Sequence, residues 1–183
     1  MVTGESPDRK EHLMETMRKY HITIAALIVL CDRMTKWLVS QKITLHDSID
    51  VLPGIFRLTH VQNQGAAFGL FAESPSEWKP AMLILFSLAA LAVVSALLWK
   101  NGKALNATAI ALSLVFGGAL GNLWDRVTSG RVIDFLDFYV GSHHWPAFNI
   151  ADSAIVVGAL LLLSEIFLAP QEEKAQEENV ATQ

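Results

Sequence analysis

Four aspartates set the chemistry open to this chain. Asp125, Asp134 and Asp137 lie in GNLWDRVTSGRVIDFLDF, and Asp152 lies just inside the last long apolar stretch, FNIADSAIVVGALLLLSEIFL. A carboxylate inside a membrane-length helix is costly unless it is paired or faces water, so each is a functional candidate by default. Two aspartates held close together cannot both ionise easily; they share a proton, and one can act as base while the other acts as acid. Such a pair can activate water for attack on a peptide carbonyl while protonating the leaving amine. Spacing alone leaves open which two of Asp125, Asp134 and Asp152 would form it. Other chemistries are poorly served. No serine is followed by a suitable base, and the single cysteine, Cys31, sits unactivated in an apolar run. His143 and His144 are adjacent and diverge, which makes a poor chelate. No metal or cofactor is therefore expected.

Further polar residues stand out against the apolar background. Asn122, Asp125 and Arg126 fall at i, i+3 and i+4, on one face of a helix end, and Asp125 is the expected partner of Arg126. Asn149 and Asp152 repeat the i, i+3 spacing, and Asp32 and Lys36 stand at i, i+4. All three groups belong to the same end of their helices, so one polar pocket can gather them. The glycines of GGALG (Gly117, Gly118, Gly121) are expected to let their helix pack tightly against a neighbour.

The elements that must position these groups follow from hydropathy. Of 183 residues, 52% are hydrophobic and only 17% charged, against about a quarter charged in soluble domains. Four stretches are long and apolar enough to span, given the ~20 residues that a bilayer core requires: roughly Tyr20–Val39, Pro80–Trp99, Ala104–Trp124 and Phe148–Leu168. Trp37, Trp78, Trp99, Trp124 and Trp145 all fall near their ends, where an aromatic belt would place them. MRKYHITIAALIVLC imitates a lipoprotein signal peptide, but Leu30 precedes Cys31 where a small residue is needed, so the segment reads as a retained helix. Arg9, Lys10, Arg18, Lys19, Lys100, Lys103 and Lys174 outweigh Lys42, Arg57, Lys79, Arg126 and Arg131, which puts both termini in the cytoplasm and the acid-bearing ends outside. There is no basic patch for nucleic acid.

The expected fold is thus a mainly α integral membrane protein: four transmembrane helices, a small extracytoplasmic β-sheet and a short amphipathic surface helix. Residues 1–19 form a cytoplasmic tail, 20–168 the membrane domain with outer loops 40–79 and 125–147, and 169–183 an acidic cytoplasmic tail. Pro53-Gly54 marks a turn between two short strands, and GAAFGLFAE reads as the surface helix.

Five strings, DRMTKWLV, NQGAAFG, GGALGNLWDR, GRVIDFLDF and FNIADSAI, together resemble the lipoprotein signal peptidase family, the type II signal peptidases, over roughly Tyr20 to Leu168. The resemblance implies an aspartic endopeptidase of the bacterial cytoplasmic (inner) membrane. It would cleave diacylglyceryl prolipoproteins just before the lipidated cysteine, at the outer face, among membrane lipids. By matching motifs the catalytic pair is Asp134 and Asp152. Asn63, Gly65, Asn122, Arg126, Asn149 and Ala151 would line or support the substrate pocket, and Asp32 and Lys36 match the motif on the first helix. Asp125 matches a position important for activity, while Asp137 has no counterpart and reads as a solvated loop residue. The resemblance also implies inhibition by globomycin. The competing class is a small transporter or cation-binding protein, which would need polar residues through the full membrane depth.

Overall fold

The computed structural model describes residues 7–65, 78–101 and 106–168. Helix α1 (Pro7–Lys42) is followed by strands β1 (Ser48–Leu52) and β2 (Phe56–Asn63). Helices α2 (Lys79–Asn101) and α3 (Ala107–Ser129) come next, then β3 (Val132–Val140), β4 (His143–His144) and α4 (Ile150–Leu168). The surface helix expected over GAAFGLFAE, apart from Gly65, lies outside the described residues, as do Lys103 and the acidic tail.

α2, α3 and α4 are each long and apolar enough to cross a membrane. α1 is long enough but carries Asp32, Arg33 and Lys36 within its apolar run. α3 is the central helix: half of its most apolar window is buried, against 11% for α2 and 17% for α4. The outer helices instead turn Leu85, Phe86, Val93, Leu160, Ile166 and Phe167 outward. Apolar faces this extensive suit lipid as the surrounding solvent. All five tryptophans are exposed, as boundary anchors would be.

Small residues let α3 touch two helices at once. A Cβ on Gly117 would lie 2.9 Å from the Ala25 carbonyl oxygen of α1, and one on Gly118 only 2.3 Å from that of Ala151 on α4. The expected packing role of these glycines is therefore correct: backbone meets backbone where any side chain would stand. α3 begins at Asn106, whose side chain accepts from the Ala109 N–H at 2.8 Å. It ends at Gly130, which takes the left-handed conformation (φ 70°) and returns its N–H to the Arg126 carbonyl. Only Gly130 and Arg131 then separate the helix from β3.

The sheet has the order β1-β2-β3-β4, with antiparallel neighbours. The hairpin β1–β2 turns at Pro53-Gly54 as expected, with Gly54 at φ 85°. β3 and β4 depart from the sequence reading, which left them in an outer loop. Asp134 consequently stands on a strand and not at a helix end. The reason is that VIDFLDFYV is β-branched or aromatic at six of its nine positions, and β3 buries residues of both faces. Such continuous burial erases the alternation that marks a half-exposed strand. β2 bulges between Leu58 and Val61, where buried His60 reaches the Ile43 carbonyl through Nδ1 at 2.8 Å. Val39, Ile43 and Phe135 form a core beneath the sheet, with Leu58, Ile133, Leu136 and Ile150 packed on it. Phe148 exchanges backbone hydrogen bonds with Leu136 at 2.8 and 3.1 Å, clamping β3 to the residue just before Asn149.

Candidate active site

That clamp fixes Asp134 beside the start of α4. Asn149 lies one residue before α4, and its Oδ1 accepts the Asp152 N–H at 2.9 Å, capping the helix. Its Nδ2 donates to Asp134 Oδ1 at 2.7 Å. One asparagine thus holds both carboxylate-bearing elements. Asn63, at the end of β2, donates to Asp134 Oδ2 at 3.0 Å, and its Oδ1 accepts the Gly65 N–H at 2.7 Å. Asn122 of α3 donates to Asp152 Oδ1 at 2.8 Å. Three of the four carboxylate oxygens of Asp134 and Asp152 therefore accept amide hydrogens.

The network continues into an ionic cluster. Lys36 Nζ donates to Asp32 at 2.7 Å, to Asp125 at 2.7 Å and to Asn122 Oδ1 at 3.1 Å. Arg33 pairs with the other oxygen of Asp125. Asp32 Oδ1 accepts the N–H of Ala151 at 3.1 Å, in the first turn of α4. Lys36 is 1% and Asp32 0% exposed, so neither is a surface ion pair. Two cations and two anions balance here, which is the condition for burying charge without a large penalty.

Asp134 is buried, and that burial, reinforced by repulsion from Asp152, pushes its carboxyl up to about 7. The amides of Asn63 and Asn149 and the more distant charge of Lys36 pull the other way and lose. Asp134 thus stands within reach of the charge of Asp152, the proximity that sharing one proton requires. Arg126 feels the charge of Asp152 first, then Asp134 and Asp125.

The structure brings together Asp32, Lys36, Asn63, Gly65, Asn122, Asp125, Asp134, Asn149, Ala151 and Asp152, with Arg126 at the edge. Two expectations need correction. Asp125 pairs with Arg33 and Lys36, not with its neighbour Arg126, because both cations project from α1 across the helix interface. Asp137 is no solvated loop residue: it is 5% exposed on β3, bound by Arg57 Nε at 2.7 Å and facing His144 Nδ1 at 3.0 Å. Arg33 is a further member of the cluster, and its one sequence signal is a cation within DRMTK, beside Asp32. Among the described residues no three His, Cys, Asp or Glu side chains converge as a metal site would need. Beside Asp134 opens a cavity of about 300 Å³, walled by Val61, Gln62, Asn63, Gln64, Pro146 and Ala147.

Comparison with known proteins agrees. The family model described as signal peptidase (SPase) II matches residues 24–168. A lipoprotein signal peptidase of Solibacter usitatus (strain Ellin6076) is 45% identical over 152 residues, covering 83% of this chain and 92% of that protein. One from Nitratidesulfovibrio vulgaris (strain DP4) is 42% identical over 164 residues, covering 87% and 98%. A bacterial membrane enzyme solved by the in meso method at 2.3 Å resolution superposes with a TM-score of 0.74 at 30% identity, covering 84% of this chain and 91% of the other. With the family's match spanning the paired carboxylates and every element that holds them, the chain belongs to the signal peptidase II family.

Proposed function

We propose that this membrane peptidase cleaves diacylglyceryl-modified prolipoproteins just before the lipidated cysteine, with Asp134 and Asp152 as its proton-sharing catalytic pair. The observation that carries the reading is the junction at Asn149, where one side chain holds the carboxylate of β3 and caps the helix bearing the other. At neutral pH the pair retains one proton. The ionised member takes a proton from water as the water oxygen attacks the scissile carbonyl. The protonated member then supplies the leaving amine as the tetrahedral intermediate collapses. Asn122 holds Asp152 through Oδ1, and in this reading Oδ2 is the oxygen that meets the water. Asn63, Asn122 and Asn149 hold the carboxylates, and Lys36 with Asp32 and Asp125 anchors Asn122. Arg126, whose buried Nε has no partner among the described residues, is placed to grip a polar group of the substrate.

In this reading all four helices cross the cytoplasmic membrane, α1 included, because its intramembrane charges are neutralised by Asp32 and Asp125. Both termini are cytoplasmic, and the sheet covers the outer ends of the helices. The catalytic pair then lies at the outer boundary, where a lipidated cysteine ends a spanning signal helix, and substrate arrives sideways from lipid. Globomycin would occupy the same cleft, its acyl chain along the helices and a polar group between Asp134 and Asp152. A transporter draws no support from a carboxylate cluster confined to the sheet-side ends of α1, α3 and α4.

The test is cleavage of a purified diacylglyceryl prolipoprotein. The wild type should release the signal peptide, and Asp152→Asn should not, while remaining membrane-inserted. Near-normal turnover by Asp152→Asn would remove it from the pair, and equal cleavage of the unlipidated precursor would remove the lipid from recognition.

A further inference from the structure

α1 and α2 both pack on α3 but leave between them a cavity of about 680 Å³ that runs along α1 from Arg18 to Arg33 and that neither Asp134 nor Asp152 lines. This is the size of a small-molecule pocket. Ile22, Ala25, Val29, Leu98, Phe116 and Leu120 make its walls apolar. Two features at one end do not belong to a simple packing gap. His21 is 6% exposed and lines the cavity, yet neither ring nitrogen has a hydrogen-bond partner. An unpaired buried polar side chain costs stability unless something meets it. Arg18, three residues earlier and so on the same face of α1, also lines the cavity, its guanidinium 4.4 Å over the Trp99 ring. Among the described residues no carboxylate pairs with Arg18, and none lines the cavity. At the opposite end Arg33 is already engaged by Asp125.

We infer that this cavity is a binding site for one anionic phospholipid of the leaflet next to the N-terminal half of α1. Its phosphate would meet Arg18 and His21, and an acyl chain would lie along α1 toward Leu30. The dimensions fit: from His21 to Leu30 a helix rises about 14 Å, close to half of a ~30 Å hydrocarbon core. The charge fits too: of the two arginines that line the cavity, Arg33 is paired with Asp125 and Arg18 at the mouth has no carboxylate partner among the described residues, and none of the lining residues is acidic. The occupant differs from the substrate in place: the proposed catalytic pair is at the other end of the helices. The inference rests on the membrane placement proposed above, not on the peptidase chemistry.

Native mass spectrometry of the full chain, released from nanodiscs of equal phosphatidylglycerol and phosphatidylcholine, tests it. The wild type should retain one phosphatidylglycerol with a preference of about tenfold, the order that charge-assisted phosphate contacts supply. Arg18→Ala and His21→Phe should each erase the preference, and Ala26→Trp, filling the groove, should erase retention. All three should still cleave lipidated precursor. Equal retention of the two lipids by the wild type, or unchanged preference in Arg18→Ala, would overturn the site. Displacement of the lipid by an apolar signal-peptide helix, with slowed cleavage in Ala26→Trp, would assign the groove to the substrate and also overturn it. If the chain is extracted from membranes by alkaline carbonate without detergent, the membrane placement falls and the site with it.

Discussion

Replacing Asp134 with Asn should do two separable things: abolish cleavage and change how the fold responds to pH. Burial, then repulsion from Asp152, pushes the Asp134 carboxyl up to about 7, against about 4 in an unfolded chain. Between those values the folded state holds a proton that the unfolded chain has released. Stability is therefore lost as pH rises through this window, and the penalty is complete above about 7. At about 1.4 kcal/mol per unit the full penalty is about 4 kcal/mol, of which about 2.5 kcal/mol accrues between pH 5 and 8. Asn carries no such charge. It does, however, present one acceptor where Asn63 and Asn149 both donate, leaving a donor unmet at a pH-independent cost of about 1–3 kcal/mol. The variant should thus lie near the wild type at pH 5 and gain on it by pH 8. Thermal unfolding in detergent across that range should show the gap in Tm widening by about 5–10 °C. A gap that stays constant would refute the buried-charge reasoning, and residual turnover would refute the catalytic role.

Lys36→Met leaves Asp32 and Asp125 buried without their shared cation, so it should cost about 3–5 kcal/mol in an unfolding titration; an unchanged midpoint would show the cluster to be solvated. Gly118→Val drives a side chain into the Ala151 carbonyl and should lower stability by at least about 1–3 kcal/mol together with activity, whereas a variant matching the wild type in both would mean that α3 and α4 are free to separate. Asn63→Ala should weaken globomycin and substrate binding by roughly five- to tenfold, and unchanged inhibitor affinity would take Asn63 out of the cleft. Chelators should leave cleavage untouched; a chelator-sensitive activity restored by zinc would sink the aspartic mechanism.

Much of this site is local in sequence, which is why it can be read there. Asp32–Lys36 and Asn149–Asp152 are i, i+4 and i, i+3 pairs, and both contacts form as helical spacing requires. The seams at Gly117 and Gly118 were equally legible, since only close backbone contact explains such a run. What sequence could not show was the partner across space. Asp125 sits next to Arg126, but a helix sends neighbours to different faces, and the cations it meets lie about ninety positions earlier. Asp137 looked solvated because its partners, Arg57 and His144, come from the two strands flanking β3. β3 itself was hidden by burial on both faces. A reading that missed the strand could name Asp134 only through the family's motif, not through the clamp at Phe148 that positions it.

The pairing of Asp32 with Lys36 also bears on how the chain is built. α1 is made first, and at that stage α3 does not yet exist. Lys36 nevertheless carries its counter-ion one turn away on the same helix, so this pair can leave water as a neutral unit during synthesis. Arg33 cannot do the same; its carboxylate belongs to α3. With α1 spanning the membrane as proposed above, it would wait in the bilayer with one unanswered positive charge near its later end until α3 arrives with Asp125. The unanswered charge acts as a latch that admits α3 in a single register, and the register that satisfies it is the one that sets Asn122 against Asp152.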